Sequence, residues 1–549
     1  MERKWFPSWP KEMPKFLDFP EKPLYEFLRE TTRKNPERVA INFYGREIRF
    51  QELNTRTDQL AAALADFGVK KGDRVSLFLE NSPQFVVSYF GVLKAGGVVV
   101  AANPMFKEDE LEYEIKDAGS KVLIAQDILY PKADKIRDAA GLTHIILTSY
   151  RDYIPQKSAL PLHASMQAPK RRFPKTLELL DLLERYPPTP PKVEINLKED
   201  LALLQYTSGT TGLPKGAMIT HYGLLSNTVC SAVWLGMREE DIVLSVLPFF
   251  HVTGMIHSMN MPIYMGTTNI MLARFDPETA MRAIHQYHCT TWTSITTMNV
   301  AVVNFPGVDK YDLSSLKRCL TGGAPVPQEI LEKWRVRIGP ELCEGYGLSE
   351  TISQTHMNPI HAPRYGSIGL PAFGVECRIV DLATGADLPL EKEGELWVKG
   401  PTVMQGYWNR PGETQEVLKD GWLATGDIAR MDEDGFFYIV GRKKDLIKAS
   451  GYSVFPAEVE NFLYSHPAVK EVAVIGVPDS YRGENIKAVI VLKAEYSDRI
   501  KEEEIVTWCK DRMAAYKYPR MVEFVKELPK TASGKVLKRL LREKEVTLK

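Results

Sequence analysis

The chain has 549 residues, more than one hydrophobic core normally organises, so two to four domains are expected. Its 70 Lys and Arg residues balance 70 Asp and Glu residues, which excludes a whole-chain field that would gather nucleic acid or an anionic membrane. With 44% hydrophobic and 26% charged residues, the composition excludes a disordered or fibrous chain.

The cysteines and the chain ends predict where the protein works. The six cysteines form neither a Cys-x-x-Cys pair nor a Cys/His cluster at zinc spacing, which favours a reduced, cytoplasmic setting. The first residues show no secretion signal, and the last ones no retention or peroxisomal address. The most apolar window, residues 85–102, contains Lys94 and three glycines, so it predicts a buried helix and a strand instead of a membrane span.

In chain order, the first third of the sequence predicts an α/β fold. Helical patterns alternate with short runs rich in Val, Ile and Leu at residues 74–79, 98–101, 121–124 and 144–148. This alternation predicts βαβ units and a parallel sheet. Residues 150–197 are rich in proline and basic residues and break the pattern, so we expect them to run over the surface.

The remainder of the chain predicts three further regions. A second α/β series runs from residue 201 to about residue 377, and glycine-punctuated strands at residues 394–398 and 436–440 predict a small β-rich subdomain. From residue 443 onward, 21 Lys and Arg residues outnumber 16 Asp and Glu residues, which predicts a separate basic domain. We therefore expect an N-terminal domain at residues 1–441 and a C-terminal domain at residues 442–549.

The strongest chemical signal is the loop Tyr206-Thr-Ser-Gly-Thr-Thr-Gly-Leu-Pro-Lys-Gly216, which follows an apolar run. Its glycines let backbone N–H groups approach an anion, its hydroxyls add donors, and Lys215 supplies a positive charge, so it predicts a phosphate cradle. It is not a Walker A loop, because Gly-x-x-x-x-Gly-Lys-Ser/Thr is absent and residues 216–220 read as a strand where that motif needs a helix.

Together with five further segments, this loop resembles the signature of the AMP-forming superfamily of acyl-CoA synthetases, nonribosomal peptide adenylation domains and luciferases. In the family's order, the further segments are Gly322-Gly-Ala-Pro325, Glu344-Gly-Tyr-Gly-Leu-Ser-Glu-Thr351, Thr425-Gly-Asp427, Gly441-Arg-Lys-Lys-Asp-Leu-Ile-Lys448 with Ser450-Gly-Tyr452, and Pro529-Lys-Thr-Ala-Ser-Gly-Lys535. The resemblance implies a large N-terminal domain of parallel-sheet α/β subdomains with a small β-barrel-like subdomain. A small, mobile α+β C-terminal domain follows, with a hinge near Lys444.

The resemblance also implies a reaction, in which a carboxylate and ATP form an acyl-adenylate and pyrophosphate. The implied catalytic residues are Lys215, His251, Glu350 and Lys535. Glu350 and Ser208 are the implied contacts of Mg²⁺, and Ser349 stands where the family usually has threonine. The residues implied to bind ATP or AMP are Thr207, Ser208, Gly209, Thr210, Thr211, Gly212, Lys215, Gly322, Gly323, Ala324, Glu344, Gly345, Tyr346, Gly347, Ser349, Asp427 and Arg442.

Individual roles within this set follow from the resemblance. Tyr346 is expected to stack on adenine, with Gly322, Gly323 and Ala324 on the opposite wall. Asp427 is expected to accept hydrogen bonds from both ribose hydroxyls, with Arg442 as its companion. Gly345-Tyr-Gly347 also begins like a dinucleotide fingerprint, but the third glycine is missing, so we reject that interpretation.

Two faces of the C-terminal domain are implied to act in turn. Lys535 reaches the α-phosphate and the carboxylate first; rotation about Lys444 then withdraws it and brings Lys448, Gly451 and Tyr452 over the adenylate. Because the chain ends 14 residues after Lys535 with no carrier domain, we expect free coenzyme A as the acceptor.

The nature of the acid is predicted from Pro248-Phe-Phe-His-Val-Thr-Gly-Met255. Adenylation domains for amino acids typically place an aspartate here, whereas His251 resembles the pocket-closing aromatic residue of acyl-CoA synthetases. Residues 255–265 and 290–305 carry no Asp, Glu, Lys or Arg and are expected on one pocket wall. We predict an acyl pocket for a medium- to long-chain fatty acid, formed by His251, Val252, Met255 and Met259.

Alternatives from other classes stay open. The same chemistry could act on a short, branched or aryl acid, or the chain could be a degenerate, non-catalytic binding protein. Retention of Lys215, Glu350, Asp427 and Lys535 argues against the latter, and a kinase or phosphate-releasing ATPase would need motifs that are absent. The expected partners are the small molecules ATP, coenzyme A and a carboxylic acid. We expect no nucleic acid and at most peripheral membrane contact, and the sequence is compatible with a homodimer.

Overall fold

The computed structural model describes residues 3–207, 213–449, 452–479, 482–497, 499–530 and 536–547. The chain divides into two compact units. The first unit comprises Met1–Ser208, Leu213–Glu376 and Lys399–Leu423, and the second comprises Cys377–Val398 and Ala424–Lys549. The predicted boundary at residue 442 stays a prediction.

The first unit contains two large sheets. In the described residues, one sheet has nine strands in the order Leu370–Pro371, Ser353–Met357, Leu342–Leu348, Arg318–Gly322, Thr291–Ile295, Ile242–Ser245, Thr268–Met271, Val39–Phe43 and Arg46–Arg49. The other has seven, in the order Leu177–Glu178, His144–Thr148, Val122–Gln126, Arg74–Phe78, Val98–Ala101, Leu201–Thr207 and Lys215–Thr220.

The βαβ prediction is confirmed in both sheets. Arg74–Phe78 pairs in parallel with both Val98–Ala101 and Val122–Gln126, and Val122–Gln126 pairs in parallel with His144–Thr148. The apolar window is a helix, Pro83–Lys94, followed by a strand. Ser82 caps that helix, and every residue in it is buried, as expected for a helix that is apolar all round. The predicted α/β class is therefore confirmed.

The surface excursion predicted at residues 150–197 is wrong in part. Leu177–Glu178 adds a parallel strand to the seven-stranded sheet, and the helix Leu179–Arg185 packs against the helix Phe50–Asp66. Leu179, Leu182 and Leu183 are buried because their spacing puts them on one face of the short helix. The sequence analysis missed this apolar stripe because prolines and basic residues surround it.

Helices cover the sheets and connect their strands. The α-helices are Leu24–Lys34, Phe50–Asp66, Pro83–Lys94, Glu108–Ala118, Tyr130–Ile136, Ala164–Gln167, Leu179–Arg185, His221–Trp234, Met261–Met265, Pro277–Tyr287, Thr296–Val303, Gln328–Arg337, Pro411–Val417, Pro456–Tyr464, Glu502–Lys510 and Lys538–Thr547. Gly254–Asn260 is π-helical. Single 3₁₀ turns occur at Phe6–Ser8, Asp127–Leu129, Tyr150–Asp152, Val308–Lys310, Ser349–Thr351, Lys443–Asp445 and Ala494–Tyr496.

Two smaller sheets complete the described fold. The first has the order Glu376–Val380, Gly394–Lys399, Trp422–Met431 and Leu418–Lys419, with Phe437–Arg442 beside Trp422–Met431. It contains both strands predicted for the β-rich region. The other has the order Tyr452–Val454, Ile447–Ala449, Gly483–Leu492 and Val469–Asp479, with Met521–Phe524 beside Gly483–Leu492. Its core includes Val459, Val474, Ile490 and Ile505.

None of the helices in the described ranges combines the length and the hydropathy that crossing a membrane requires.

Candidate active site

The predicted phosphate cradle connects two antiparallel strands. Leu201–Thr207 pairs with Lys215–Thr220, and Thr207 lies opposite Lys215, so residues 216–220 form the strand that was predicted. Helix Glu108–Ala118 holds both ends of the connection: Tyr206 donates a hydrogen bond to Asp117 at 2.7 Å, and Tyr113 donates to the carbonyl of Pro214 at 2.9 Å. Ser208, Gly209, Thr210, Thr211 and Gly212 lie outside the described residues.

Lys215 and Glu350 both contact Tyr407, a residue that the sequence did not indicate. The hydroxyl of Tyr407 donates to Glu350 Oε1 at 2.8 Å, and Lys215 Nζ lies 5.0 Å from the centroid of the Tyr407 ring. Lys215 also forms an ion pair with Glu413. Burial and the Glu350 carboxylate raise the pKa of Tyr407 well above its ordinary value, so the phenol stays protonated and donates.

Backbone pairing places Tyr407 between these two residues. The Trp408 N–H donates to the carbonyl of Gly216, and the Met404 N–H donates to the carbonyl of Glu350, both at 2.8 Å. Residues 404–408 therefore connect the phosphate hairpin directly to the turn that carries Glu350. Tyr407 and Glu413 are the residues that sequence reasoning missed here. The only sequence signal is a pair of aromatics between Gly406 and Pro411.

The turn that presents Glu350 has a strained backbone. Ile352 and Ser353 both have positive φ, 46° and 105°, although neither is glycine. Gly347 makes this turn sterically feasible, because a Cβ at that position would lie 1.8 Å from the carbonyl oxygen of Ser353. Buried Asn227 supports the turn by donating to the carbonyls of Thr351 at 3.1 Å and Gln354 at 3.0 Å. Strain of this kind clusters at functional sites.

The residues predicted to surround adenine end two neighbouring parallel strands. Arg318–Gly322 and Leu342–Leu348 pair so that Gly322 lies opposite Gly345. Ligands of α/β sheets bind beyond the carboxyl ends of the strands, so the position suits a nucleotide base. The Tyr346 ring meets His356 edge to face at a centroid distance of 5.9 Å. The Glu344 carboxylate accepts the Val326 N–H at 2.9 Å and so holds the loop that begins with Gly322.

Glu344 predicts a pH dependence of stability. Burial raises its pKa to about 7, from an ordinary 4.5. Since the folded protein then binds this proton more tightly than the unfolded chain, the stability that Glu344 contributes should fall by about 3 kcal/mol as pH rises from 4.5 to 7. Glu344→Gln removes this loss, so its unfolding temperature relative to wild type should rise between pH 5 and pH 8. An unchanged difference, judged against Glu341→Gln, would contradict the assignment.

In the second unit, Asp427 and Arg442 form the predicted pair. They lie opposite each other on antiparallel strands, and Arg442 Nε is 3.0 Å from Asp427 Oδ1. The Asp427 N–H donates to Thr425 Oγ1 at 3.1 Å, and the Thr425 hydroxyl donates to the carbonyl of Leu396 at 2.7 Å. Asp427 is buried, whereas the Arg442 side chain is about one third exposed. The strand pairing and the Thr425 hydrogen bonds therefore hold Asp427 in place, while Arg442 stays partly open to solvent.

The implied hinge and thioester residues follow this pair. Lys444 is exposed in the turn Lys443–Asp445, and Asp445 forms an ion pair with Arg542. Lys448 lies on the strand Ile447–Ala449, and its N–H donates to Glu484 at 2.7 Å. Gly451 and the side chain of Tyr452 lie outside the described residues.

Lys535 also lies outside the described residues, but the two ends of its segment are held together. Lys530 pairs with Val536 in an antiparallel bridge, and the Leu537 N–H donates to the carbonyl of Pro529 at 2.8 Å. Lys530 forms an ion pair with Glu471 at 2.7 Å.

The predicted acyl-pocket residues lie at the start of a buried helical segment. Val252, Met255 and Met259 are buried, and His251 is partly exposed beside Phe250, whose carbonyl accepts a hydrogen bond from Gln205 at 3.2 Å. Gly254 allows close backbone packing, because a Cβ there would lie 2.2 Å from the carbonyl oxygen of Pro248. The strand Thr291–Ile295, predicted for the same wall, contacts the π-helical segment.

Comparison with known proteins agrees with this geometry. The model of the AMP-binding enzyme family matches residues 28–408, and that of its C-terminal domain matches residues 458–535. The chain belongs to the AMP-binding enzyme family. It is 43% identical to a long-chain-fatty-acid–CoA ligase of Bacillus subtilis (strain 168), over 99% of this chain and 98% of the relative.

Solved structures extend the comparison. The ATP-bound MatB of Rhodopseudomonas palustris is 29% identical, with a TM-score of 0.85 over 96% of this chain and 100% of that one. The anthranilate CoA ligase AuaEII, solved with anthranoyl-AMP, is also 29% identical, with a TM-score of 0.85 over 98% of this chain and 99% of that one. The predicted membership of the AMP-forming superfamily is confirmed.

In this AMP-binding enzyme, Tyr407 should affect the rate by orienting Glu350. A hydrogen bond to a charged group is worth roughly 1.5 kcal/mol or more, so Tyr407→Phe should lower kcat/KM for acyl-CoA formation about tenfold. Tyr311→Phe is the matched control, because Tyr311 donates to Glu278 at 2.8 Å on the helix Pro277–Tyr287. Equal rates for both variants would show that the Tyr407 bond is only structural.

Proposed function

We propose that this AMP-binding enzyme activates a medium- to long-chain fatty acid with ATP and transfers the acyl group to coenzyme A. The observation that carries the proposal is the cluster of Lys215, Tyr407 and Glu350 at the phosphate hairpin. In this cluster, Lys215 offers a positive charge that can bind phosphate, and Glu350 offers a carboxylate that can bind a metal ion carried by the phosphates. Similarity over the full length to a long-chain-fatty-acid–CoA ligase supports the choice of acid.

Magnesium is proposed to come with the nucleotide. Among residues with described side chains, no group of three or more His, Cys, Asp or Glu could hold a metal ion unaided. Glu350 offers its carboxylate beside the hairpin, where Glu413 is paired with Lys215. Mg²⁺ in nucleotide sites needs only one or two carboxylates, since phosphate oxygens and water fill the other positions. Glu350 therefore fits one protein contact of such an ion, which would neutralise charge on the phosphates. Ser208, which lies outside the described residues, is proposed as the second contact.

In the first half-reaction, an oxygen of the acid attacks the α-phosphorus of ATP, and the bond from that phosphorus to the β-phosphate oxygen breaks. Pyrophosphate leaves with the bonding electron pair. Lys215 exchanges its Glu413 partner for phosphate oxygens, which lowers the repulsion between the two anions. Tyr346 and the Gly322–Ala324 segment hold adenine, and Asp427 with Arg442 holds the ribose. Lys535 neutralises the attacking carboxylate and the α-phosphate.

In the second half-reaction, the thiolate of coenzyme A attacks the acyl carbonyl carbon, and the carbon–oxygen bond to AMP breaks. AMP leaves with its oxygen, and the thiol proton goes to solvent. The face that carries Lys448, Gly451 and Tyr452 is proposed to guide the pantetheine arm, after movement about Lys444 replaces the Lys535 face.

The proposed acyl pocket indicates how the enzyme's preference for fatty-acid chain length can be changed. Met255 is buried at the start of the π-helical segment, and Met255→Trp adds bulk there. Each methylene that no longer fits should cost roughly 0.8 kcal/mol, or about fourfold in kcat/KM, so preference should move to shorter acids. An unchanged chain-length profile, in a variant with a normal unfolding temperature, would place the pocket elsewhere.

One assay separates the proposed function from its alternatives. Pyrophosphate release is measured with straight-chain acids of 4 to 18 carbons, a branched acid and benzoate, each with and without coenzyme A. Release that requires a straight-chain acid, with thioester formed only when coenzyme A is present, is the expected result. Preference for benzoate would favour an aryl substrate, and no release with any acid would favour a binding protein.

A further inference from the structure

The π-helical segment Gly254–Asn260 has an identifiable cause in Pro262. In an α-helix, the carbonyl of Ser258 would accept the N–H of residue 262, but proline has no N–H, and its ring clashes with the carbonyl four residues earlier. The backbone widens instead, and the Met261 N–H donates to the carbonyl of Ile256, five residues back. All seven residues of the segment are buried.

Two side chains from the sheet bind the carbonyl that Pro262 leaves without its α-helical donor. Ser245 Oγ donates to the carbonyl of Ser258 at 2.6 Å, and Asn269 Nδ2 donates to it at 2.7 Å. Ser245 and Asn269 are buried and lie on neighbouring parallel strands, Ile242–Ser245 and Thr268–Met271. The Ser258 carbonyl therefore accepts two side-chain hydrogen bonds in place of the one backbone hydrogen bond of an α-helix. An α-helical register would offer it no backbone donor, which is costly for a buried carbonyl.

The register of this segment sets the direction of Met255 and Met259. Both side chains lie within the π-helical turns, where each residue turns through a smaller angle than in an α-helix. A change to α-helical winding would rotate one methionine relative to the other and narrow the segment.

We propose that Ser245, Asn269 and Pro262 are positioning residues that determine acyl-chain specificity by holding this segment in its π-helical register. The inference rests on the proposed function, since only an acyl pocket at this segment can turn its register into a chain-length preference. Ser245→Ala removes one donor, and Pro262→Ala restores the N–H that an α-helix needs. The first change weakens the hold on the Ser258 carbonyl, and the second removes the reason for the wider winding, so each loosens the π-helical register.

The test compares kcat/KM for acids of 10 and 16 carbons. The ratio should change at least about fourfold, the equivalent of one methylene, and in the same direction for Ser245→Ala and Pro262→Ala. Thr268→Val is the matched control. Thr268 lies beside Asn269 on the same strand, but its hydroxyl donates to the carbonyl of Val39 at 2.9 Å and not to the π-helical segment. The control should leave the ratio within about twofold of wild type.

Hydrogen–deuterium exchange of residues 253–265 measures how firmly the hydrogen bonds to the Ser258 carbonyl hold the π-helical segment. Exchange should be faster in Ser245→Ala than in Thr268→Val. Unchanged exchange would overturn the inference, and so would faster exchange with an unchanged ratio, because the bonds would then serve only the core. A wild-type enzyme that prefers benzoate to every straight-chain acid would contradict the proposed substrate instead, and aryl acids of two sizes would then replace the two fatty acids in the ratio.

Discussion

Glu350→Gln is expected to lower the rate of acyl-CoA formation at least a hundredfold, which is about 2.7 kcal/mol of transition-state stabilisation. The substitution keeps the shape of the side chain and an oxygen that can still accept the Tyr407 hydrogen bond. It removes the negative charge that is proposed to hold the phosphate-bound metal ion beside Lys215. The loss should therefore appear in adenylate formation and persist at saturating ATP, because charge stabilisation is greatest in the transition state.

The control for this variant is Glu278→Gln, on the helix Pro277–Tyr287, because Glu278 also accepts a tyrosine hydroxyl, that of Tyr311, at 2.8 Å. Its rate should match that of wild type. Unfolding temperatures of both variants separate loss of chemistry from loss of fold. A Glu350→Gln enzyme that released pyrophosphate within threefold of the control rate would refute the assignment of Glu350 as a metal contact.

Local sequence patterns predicted the elements that depend on neighbouring residues. The four apolar runs before residue 150 are parallel strands of one sheet, because short runs of Val, Ile and Leu are buried when helices cover both faces. The strand predicted at residues 216–220 is present, whereas its antiparallel pairing with Leu201–Thr207 was not predicted. Family resemblance named Arg442 as the companion of Asp427, and the two side chains pair across adjacent antiparallel strands, while their role at the ribose stays a prediction.

Contacts between residues that are distant in the chain could not be predicted from the sequence. Tyr407 and Glu413 lie almost two hundred residues after Lys215, and only the backbone pairing of residues 404–408 brings them beside it. The buried stripe of Leu179, Leu182 and Leu183 was short and surrounded by prolines. Pro262 was visible in the sequence, but its effect depends on Ser245 and Asn269, whose side chains reach the segment only after the sheet has formed.

Lys535→Ala is expected to separate the two half-reactions. The lysine is proposed to neutralise the attacking carboxylate and the α-phosphate, so its loss should slow adenylate formation from acid and ATP at least about a hundredfold. Thioester formation from a supplied acyl-adenylate needs no such charge and should stay within about threefold of wild type. Single-turnover measurement of each half-reaction gives both rates directly.

Lys530→Ala provides the matched control on the same segment. Lys530 lies at the bridge with Val536 that closes the segment containing Lys535, and its ammonium group pairs with Glu471 at 2.7 Å. Removing this cation changes the net charge by the same amount, but it leaves the proposed catalytic lysine in place, so both half-reactions should keep their rates. If Lys535→Ala and Lys530→Ala slowed adenylate formation equally, the effect would come from the loss of one positive charge or from the bridge between Lys530 and Val536. If Lys535→Ala slowed both half-reactions equally, a single fixed arrangement would serve both steps, and the movement about Lys444 would have to be abandoned.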